Sequence, residues 1–199
     1  MNIFYHSYRK LYGFPWFVPV IKSLIRHLYI ANLLYCVTIE DKKVSNYDSI
    51  FQILKLKVDS IFVIDYDALR HRYLNLKLYD DLSKFFEITV MNYPETENDL
   101  MDTIINGAST VIINNNLTYK RISSYLSFTQ NIAMTYKYVD TCIYFSEKGG
   151  NMFLTDKEIM LPYVLAYNYS NFSIKNSIQL QNFPYNLMQS TWLELFTYE

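Results

Sequence analysis

Short, nearly continuous apolar runs recur along this chain about every 24 residues, at Ile61, Ile88, Thr110 and Ile132. Helical patterns fill the gaps between them. The runs 59–65 (DSIFVID), 87–91 (EITVM) and 110–113 (TVII) lack the polar alternation of a strand with one wet face. A strand that is apolar on both faces is covered on both faces, as in a parallel sheet lying under helices. In 47–57, Ile50, Ile53 and Leu54 stand at helical spacing behind Ser45, a plausible N-cap. Segments 76–86, 96–106 and 119–128 are also helical. Thr96 with Asp99 three residues on is close to a capping box. Gly107 stands where a left-handed residue ends a helix. Strands are also expected over 16–21 (WFVPVI), 29–39, 131–138, 141–146, 160–167 and 178–183, with a turn at 148–151.

Strands alternating with helices define an α/β fold with a parallel sheet. Short, regular units favour a TIM-like (β/α) barrel over an open sheet. About 60 residues follow the fifth expected strand, fewer than three full units need. The expectation is a single domain over 1–199, a barrel shortened or incomplete in its C-terminal part.

Composition narrows the function classes. A net charge of -1 leaves no electrostatic footprint for nucleic acid. At 51% hydrophobic residues the chain is too apolar for disorder. Glycine numbers 4, against roughly 14 at average usage. No Gly-rich phosphate-cradling motif is present, which argues against a dinucleotide fold or a P-loop. The apolar N-terminal stretch is broken by Arg9, Lys10, Lys22, Arg26 and His27, so no membrane span and no signal peptide are expected. Cys36 and Cys142 stand alone and read as small buried residues, and His6, His27 and His71 are isolated. No metal site and no cofactor are expected, and the location is cytoplasmic by default.

In a parallel barrel the functional groups stand at the C-terminal ends of the strands. That criterion selects Lys22, Asp65, Asp67, Asn92, Asn114 and Lys137. Asp65 and Asp67 are two apart along one strand, and strand alternation argues against both pointing inward. Asp65 is expected either to face a ligand or a lysine, or to cap the next helix. The 114–116 asparagine run either contacts a ligand or forms a turn.

Several segments, read in order, resemble the ProFAR isomerase and imidazole-glycerol-phosphate synthase family of histidine biosynthesis. Val18-Pro-Val-Ile-Lys22 is similar to that family's first strand. Ile61-Phe-Val-Ile-Asp65-Tyr-Asp67-Ala68, with Asn75 following, is similar to the second. Residues 87–91 with 97–100 resemble the third strand and its helix start, 106–113 the fourth, and 132–138 the fifth. The resemblance implies a (β/α)8 barrel. It also implies two catalytic aspartates, ending strands one and five, and here those positions hold Lys22 and Lys137. The family's glycines after strands three and four are here Asn92-Tyr93-Pro94 and Asn114. An ammonium cannot replace a proton-shuttling carboxylate unless its pKa falls by several units.

The resemblance and its departures together imply a diverged member that has lost the ribotide isomerase reaction. It would bind a small anionic metabolite through Lys22 and Lys137, with Asp65, Asn92 and Asn114 beside them. Two further readings stay open. One is a lysine-dependent lyase or isomerase acting on a phosphorylated or carbonyl substrate, with Lys22, Lys137 and Asp65 as catalytic candidates. The other is an oligomeric structural or interaction protein, because an incomplete barrel leaves sheet edges uncovered.

Overall fold

In the computed structural model of this protein, the structure is described for residues 33–184, apart from 163, 171, 173 and 175. The first strand of the sheet is β1 (Leu33–Glu40), followed by the short β2 (Lys43–Val44) and helix α1 (Ile50–Leu54). Then come β3 (Ser60–Asp65), α2 (Tyr66–His71), α3 (Leu76–Ser83), β4 (Glu87–Met91), α4 (Glu97–Ile105), β5 (Ala108–Ile113) and α5 (Tyr119–Phe128). The chain continues through β6 (Ile132–Thr135), α6 (Val139–Glu147), β7 (Met152–Thr155), β8 (Leu165–Asn168) and β9 (Ser177–Gln181).

Strands β1 and β3 to β9 lie in sequence order, and β9 returns to pair with β1. The result is a closed eight-stranded parallel barrel with helices between strands. β2 stands outside the ring as the antiparallel partner of β1. Closure leaves no open edge in the ring, which removes the exposed edge on which the oligomer reading drew.

Register and alternation sort the strand residues into two layers. Cys36 pairs with Phe62, Phe62 with Thr89, and Met91 with Ile112. These side chains face the barrel axis, and Cys36, Phe62, Met91 and Ile112 form one buried cluster with Ala133, Leu154 and Tyr167. Phe62 packs its ring against Tyr167 and Phe183, with centroids 5.9 and 6.2 Å away. The alternate residues, Ile61, Val63, Ile88, Val90, Val111 and Ile113 among them, face outward and pack against Tyr79, Leu82, Leu100, Ile122 and Tyr125 of the helices. Both faces are buried, which is why the strands read as continuous apolar runs.

Several local expectations hold. β4 and α5 fall on the expected residues. Thr96 and Asp99 form a reciprocal capping box at the start of α4. Gly107 follows that helix at φ 102°. Cys36 and Cys142 are buried and free, and burial raises the Cys142 thiol to about 11. Other expectations change. The strand expected over 16–21 lies outside the described residues, and the first described strand of the ring is β1. The helix expected over 47–57 shortens to α1, because Ser45 is spent on the β1–β2 hairpin, where its hydroxyl lies 2.7 Å from that of Thr38.

The strand expected over 141–146 is helix α6. Thr141 and Ile143 are β-branched, but the fully buried residues are Cys142 and Phe145, three apart on one helical face. In the C-terminal part the ring gains β7, β8 and β9 from few residues. These strands are 4, 4 and 5 residues long. A four-residue strand rises only about 13 Å, and a connection of eight or nine residues reaches roughly 30 Å. Parallel strands this short are therefore joined by 156–164 and 169–176 with no helix among their described residues. The economy falls on helices, not on strands.

Gly107 tests the packing of this layer. A Cβ there would overlap the Ser83 side chain of α3, and its φ is one that L residues rarely adopt. Gly107→Ala is expected to cost about 2 kcal/mol in urea unfolding. Adding Ser83→Gly recovers part of that loss by removing the overlap, while the backbone strain remains.

Candidate functional site

The polar groups at the C-terminal ends of the strands divide by the direction in which their strand releases them. On β3, Ile61 and Val63 face the helices, and Asp65 follows them on that side. Asp65 is fully buried. It caps α2 by accepting from the Ala68 amide at 3.0 Å, and it accepts from the Asn75 amide and side chain at 3.1 and 2.9 Å. The Tyr79 hydroxyl of α3 donates to Asp65 Oδ2, the oxygen that also accepts from the Asn75 backbone amide. Desolvation raises the Asp65 pKa, and these donors partly oppose that rise. Of the two expectations for Asp65, the helix cap is the one observed.

Asp67 does not alternate with Asp65, because β3 ends at Asp65 and Asp67 already lies in the first turn of α2. The two carboxylates therefore meet: the Asn75 side-chain amide donates to both, at 2.9 and 3.0 Å. Asp67 also accepts from the backbone amides of Asp41 and Lys42, at 3.0 and 2.8 Å. Those residues form the β1–β2 turn with φ of 52° and 62°, the positive-φ pair of a two-residue hairpin loop. Burial alone would raise the Asp67 pKa. The Lys42 amide, Asn75 and the Asp41 amide outweigh it and hold the carboxyl below its ordinary value. Asp67 thus stabilises a turn made of residues that adopt it reluctantly.

The asparagines behave in the same way. Asn92, 2% exposed, turns into the helix layer and donates to the Thr103 hydroxyl of α4 at 2.8 Å. Its side-chain oxygen has no hydrogen-bond partner among the described residues. Asn114 accepts from the amides of Asn115 and Asn116, at 2.7 and 3.4 Å, closing a local turn. Asn115, the middle residue of the 114–116 run, is 1% exposed. It accepts from the Tyr138 amide at 2.8 Å and donates to the Tyr138 carbonyl at 3.2 Å, fastening the β6–α6 loop to the end of β5. Asn168 does the same at the end of β8, bonding Ser170, Phe172 and Gln179. Asp65 and Asn92 therefore bond into the helix layer, and Asn114 closes a turn.

The inward side of this end is aromatic. Tyr66, Leu69, Tyr169 and Phe183 join the cluster inside the barrel, with Tyr93 packed against it. Tyr169 and Phe183 stack at 4.7 Å. Arg70 lies over the Tyr66 ring at 4.7 Å and pairs with Glu40 of β1. The high tyrosine content gave no sign of this placement, because aromatic residues occur throughout the sequence.

Lys137 follows β6 by two residues, half-buried, with its ammonium 5.3 Å from the centre of the Tyr138 ring. Desolvation lowers its pKa. Lys157, beyond β7, lies over Tyr136 at 5.8 Å. Lys22 lies outside the described residues. Among the described residues no three His, Cys, Asp or Glu side chains group as metal ligands, and no helix is long and apolar enough to cross a membrane.

The two carboxylates respond to pH with opposite sign. Asp65 is less acidic in the folded chain, so its contribution is greatest below the unfolded value and falls as pH rises through the folded one. Asp67 is more acidic when folded. Its contribution is complete above the unfolded value of about 3.9 and is lost as pH falls through the folded one. Asp67→Asn is therefore expected to destabilise by about 2 kcal/mol at pH 7. Urea unfolding from pH 7 down to pH 2 should show that deficit closing below about pH 4.

No protein-family model matches this chain, and no curated protein sequence matches it significantly.

Proposed function

We propose that this chain is a TIM-type barrel diverged from the histidine-biosynthesis isomerases, no longer an isomerase, that binds a small anionic metabolite at the C-terminal ends of its strands. Lys137 supplies the positive charge, and Lys22, which precedes β1 in the sequence and lies outside the described residues, is its proposed partner from the family resemblance alone. The supporting observation is the half-buried, desolvated ammonium at the end of β6, the fifth strand of the ring. The resembled family keeps a catalytic aspartate at the end of that strand. The carboxylates at and just beyond the strand ends are engaged: Glu40 pairs with Arg70, and Asp65 and Asp67 are held in hydrogen bonds to the hairpin turn, α2, α3 and Asn75. A proton shuttle needs a carboxylate free to change partners. A binding site for an anion needs only a fixed cation in a partly dry setting, where its charge acts more strongly.

Lys137→Ala and Lys22→Ala are each expected to weaken binding of a ribose phosphate by at least about tenfold, the loss typical of one charge-assisted contact. Isothermal titration reads the affinity, and circular dichroism checks that the fold is intact. Unchanged affinity in both variants overturns the proposal.

The same observation favours one other reading. Desolvation increases the fraction of neutral amine at Lys137, the form that attacks a carbonyl. Borohydride added with candidate aldehydes and ketones is then expected to leave a reduced adduct on Lys137, seen by peptide mass spectrometry. The absence of an adduct with every carbonyl compound tried leaves anion binding as the sole reading.

A further inference from the structure

Two hydroxyls meet over the C-terminal end of the barrel. Thr135 is the last residue of β6 and pairs with Leu154 on the inward face, 2% exposed. Tyr93 stands two residues beyond the end of β4 and packs on the interior cluster. In crossing β5 it brings its hydroxyl to 2.9 Å from Thr135 Oγ1. Tyr93 holds φ at 49°, a conformation that a bulky side chain adopts only when its surroundings impose it. The same residue thus combines a strained backbone with this hydroxyl contact.

Each hydroxyl has one hydrogen to give, and each can also accept. Their mutual bond uses one of the two hydrogens. Neither hydroxyl makes a second hydrogen bond among the described residues. Among the described residues one donor is therefore left over in a desolvated position, where an unused donor is unfavourable. Burial pushes the Tyr93 pKa upward, so the phenol keeps its hydrogen at every physiological pH. Thr135 has Tyr93 as its partner and almost no exposure. Tyr93 is the less buried of the two residues and packs on the interior cluster at this end.

We propose that Tyr93 is the hydrogen-bond donor that contacts an oxyanion, a carboxylate or phosphate oxygen, in the barrel mouth, and that Thr135 positions it. Thr135 donates to the Tyr93 oxygen, and the phenolic hydrogen is directed to the ligand. An anionic oxygen only accepts, so it complements a site whose surplus is a donor. The inference rests on the anion-binding reading above and adds to it the group that recognises the ligand's oxygen.

The test titrates inorganic phosphate and, separately, acetate into the full chain and into Tyr93→Phe, Thr135→Val, Thr135→Ser and Lys137→Ala, with affinity taken from the ligand-induced rise in melting temperature. The probe that binds more tightly assigns the oxyanion as phosphate or carboxylate. For that probe, Tyr93→Phe and Thr135→Val are each expected to weaken binding about tenfold. Thr135→Ser, which keeps the hydroxyl, should bind like the unaltered chain. Binding lost in Lys137→Ala but unchanged in Tyr93→Phe overturns the Tyr93 assignment and leaves the anion reading standing. Thr135→Ser as weak as Thr135→Val overturns the positioning role of Thr135. Failure of the unaltered chain to bind either probe overturns both proposals. If Tyr93→Phe loses its native near-ultraviolet dichroism, the contrast between the two Thr135 variants decides.

Discussion

Hydrogen bonding of β9 to β1 is the constraint on which the rest of this fold depends. A parallel sheet exposes two rows of unpaired backbone groups unless it is covered or closed. Closure fixes which side of every strand is inside. Phe62, Met91, Ile112 and Tyr167 then fill the barrel, while Ile61, Val90 and Ile113 must be covered by helices. The last three ring strands are short enough for loops to return the chain, so the ring closes with few residues spent on its C-terminal part.

A second device depends on closure. Where a strand ends, its last outward residue sits between the barrel and the helix layer, surrounded by loop backbone that water reaches poorly. At such positions the chain places Asp65, Asn92, Asn115 and Asn168, short polar side chains able to satisfy amides and carbonyls. Loops are fastened from one unit to the next: Asp67 holds the β1 hairpin, and Asn115 holds the loop after β6. Residues that look functional by position are therefore engaged in anchoring the rim. The inward positions at the same level hold Tyr66, Tyr93 and Thr135.

Much of the fold was legible. The positions of β3, β4, β5, α4 and α5 follow from apolar runs, helical spacing and the Thr96–Asp99 cap, all local signals. α6 was misread because Thr141 and Ile143 favour a strand when neighbours alone are weighed; burial of Cys142 and Phe145 on one face is a tertiary choice. β7 escaped notice because a four-residue strand carries too little pattern. Of the candidate site residues, Asp65 takes the helix-cap alternative and Asn114 the turn alternative, and the choice between each pair of alternatives was not written in the local sequence. Lys137 stands at the end of β6 as expected, whereas Tyr93 and Thr135 carry no sequence signal that separates them from other tyrosines and threonines.

By itself, then, the sequence determined the class: parallel strands buried on both faces, alternating with capped helices, because periodicity and capping are properties of neighbours along the chain. Only the tertiary structure decided the closure of the ring and the facing of the residues at its rim. Facing depends on the residue at which a strand stops, and a shift of one position turns a side chain from the helix layer to the barrel mouth. Asp65 stands on one side of that boundary and Thr135 on the other.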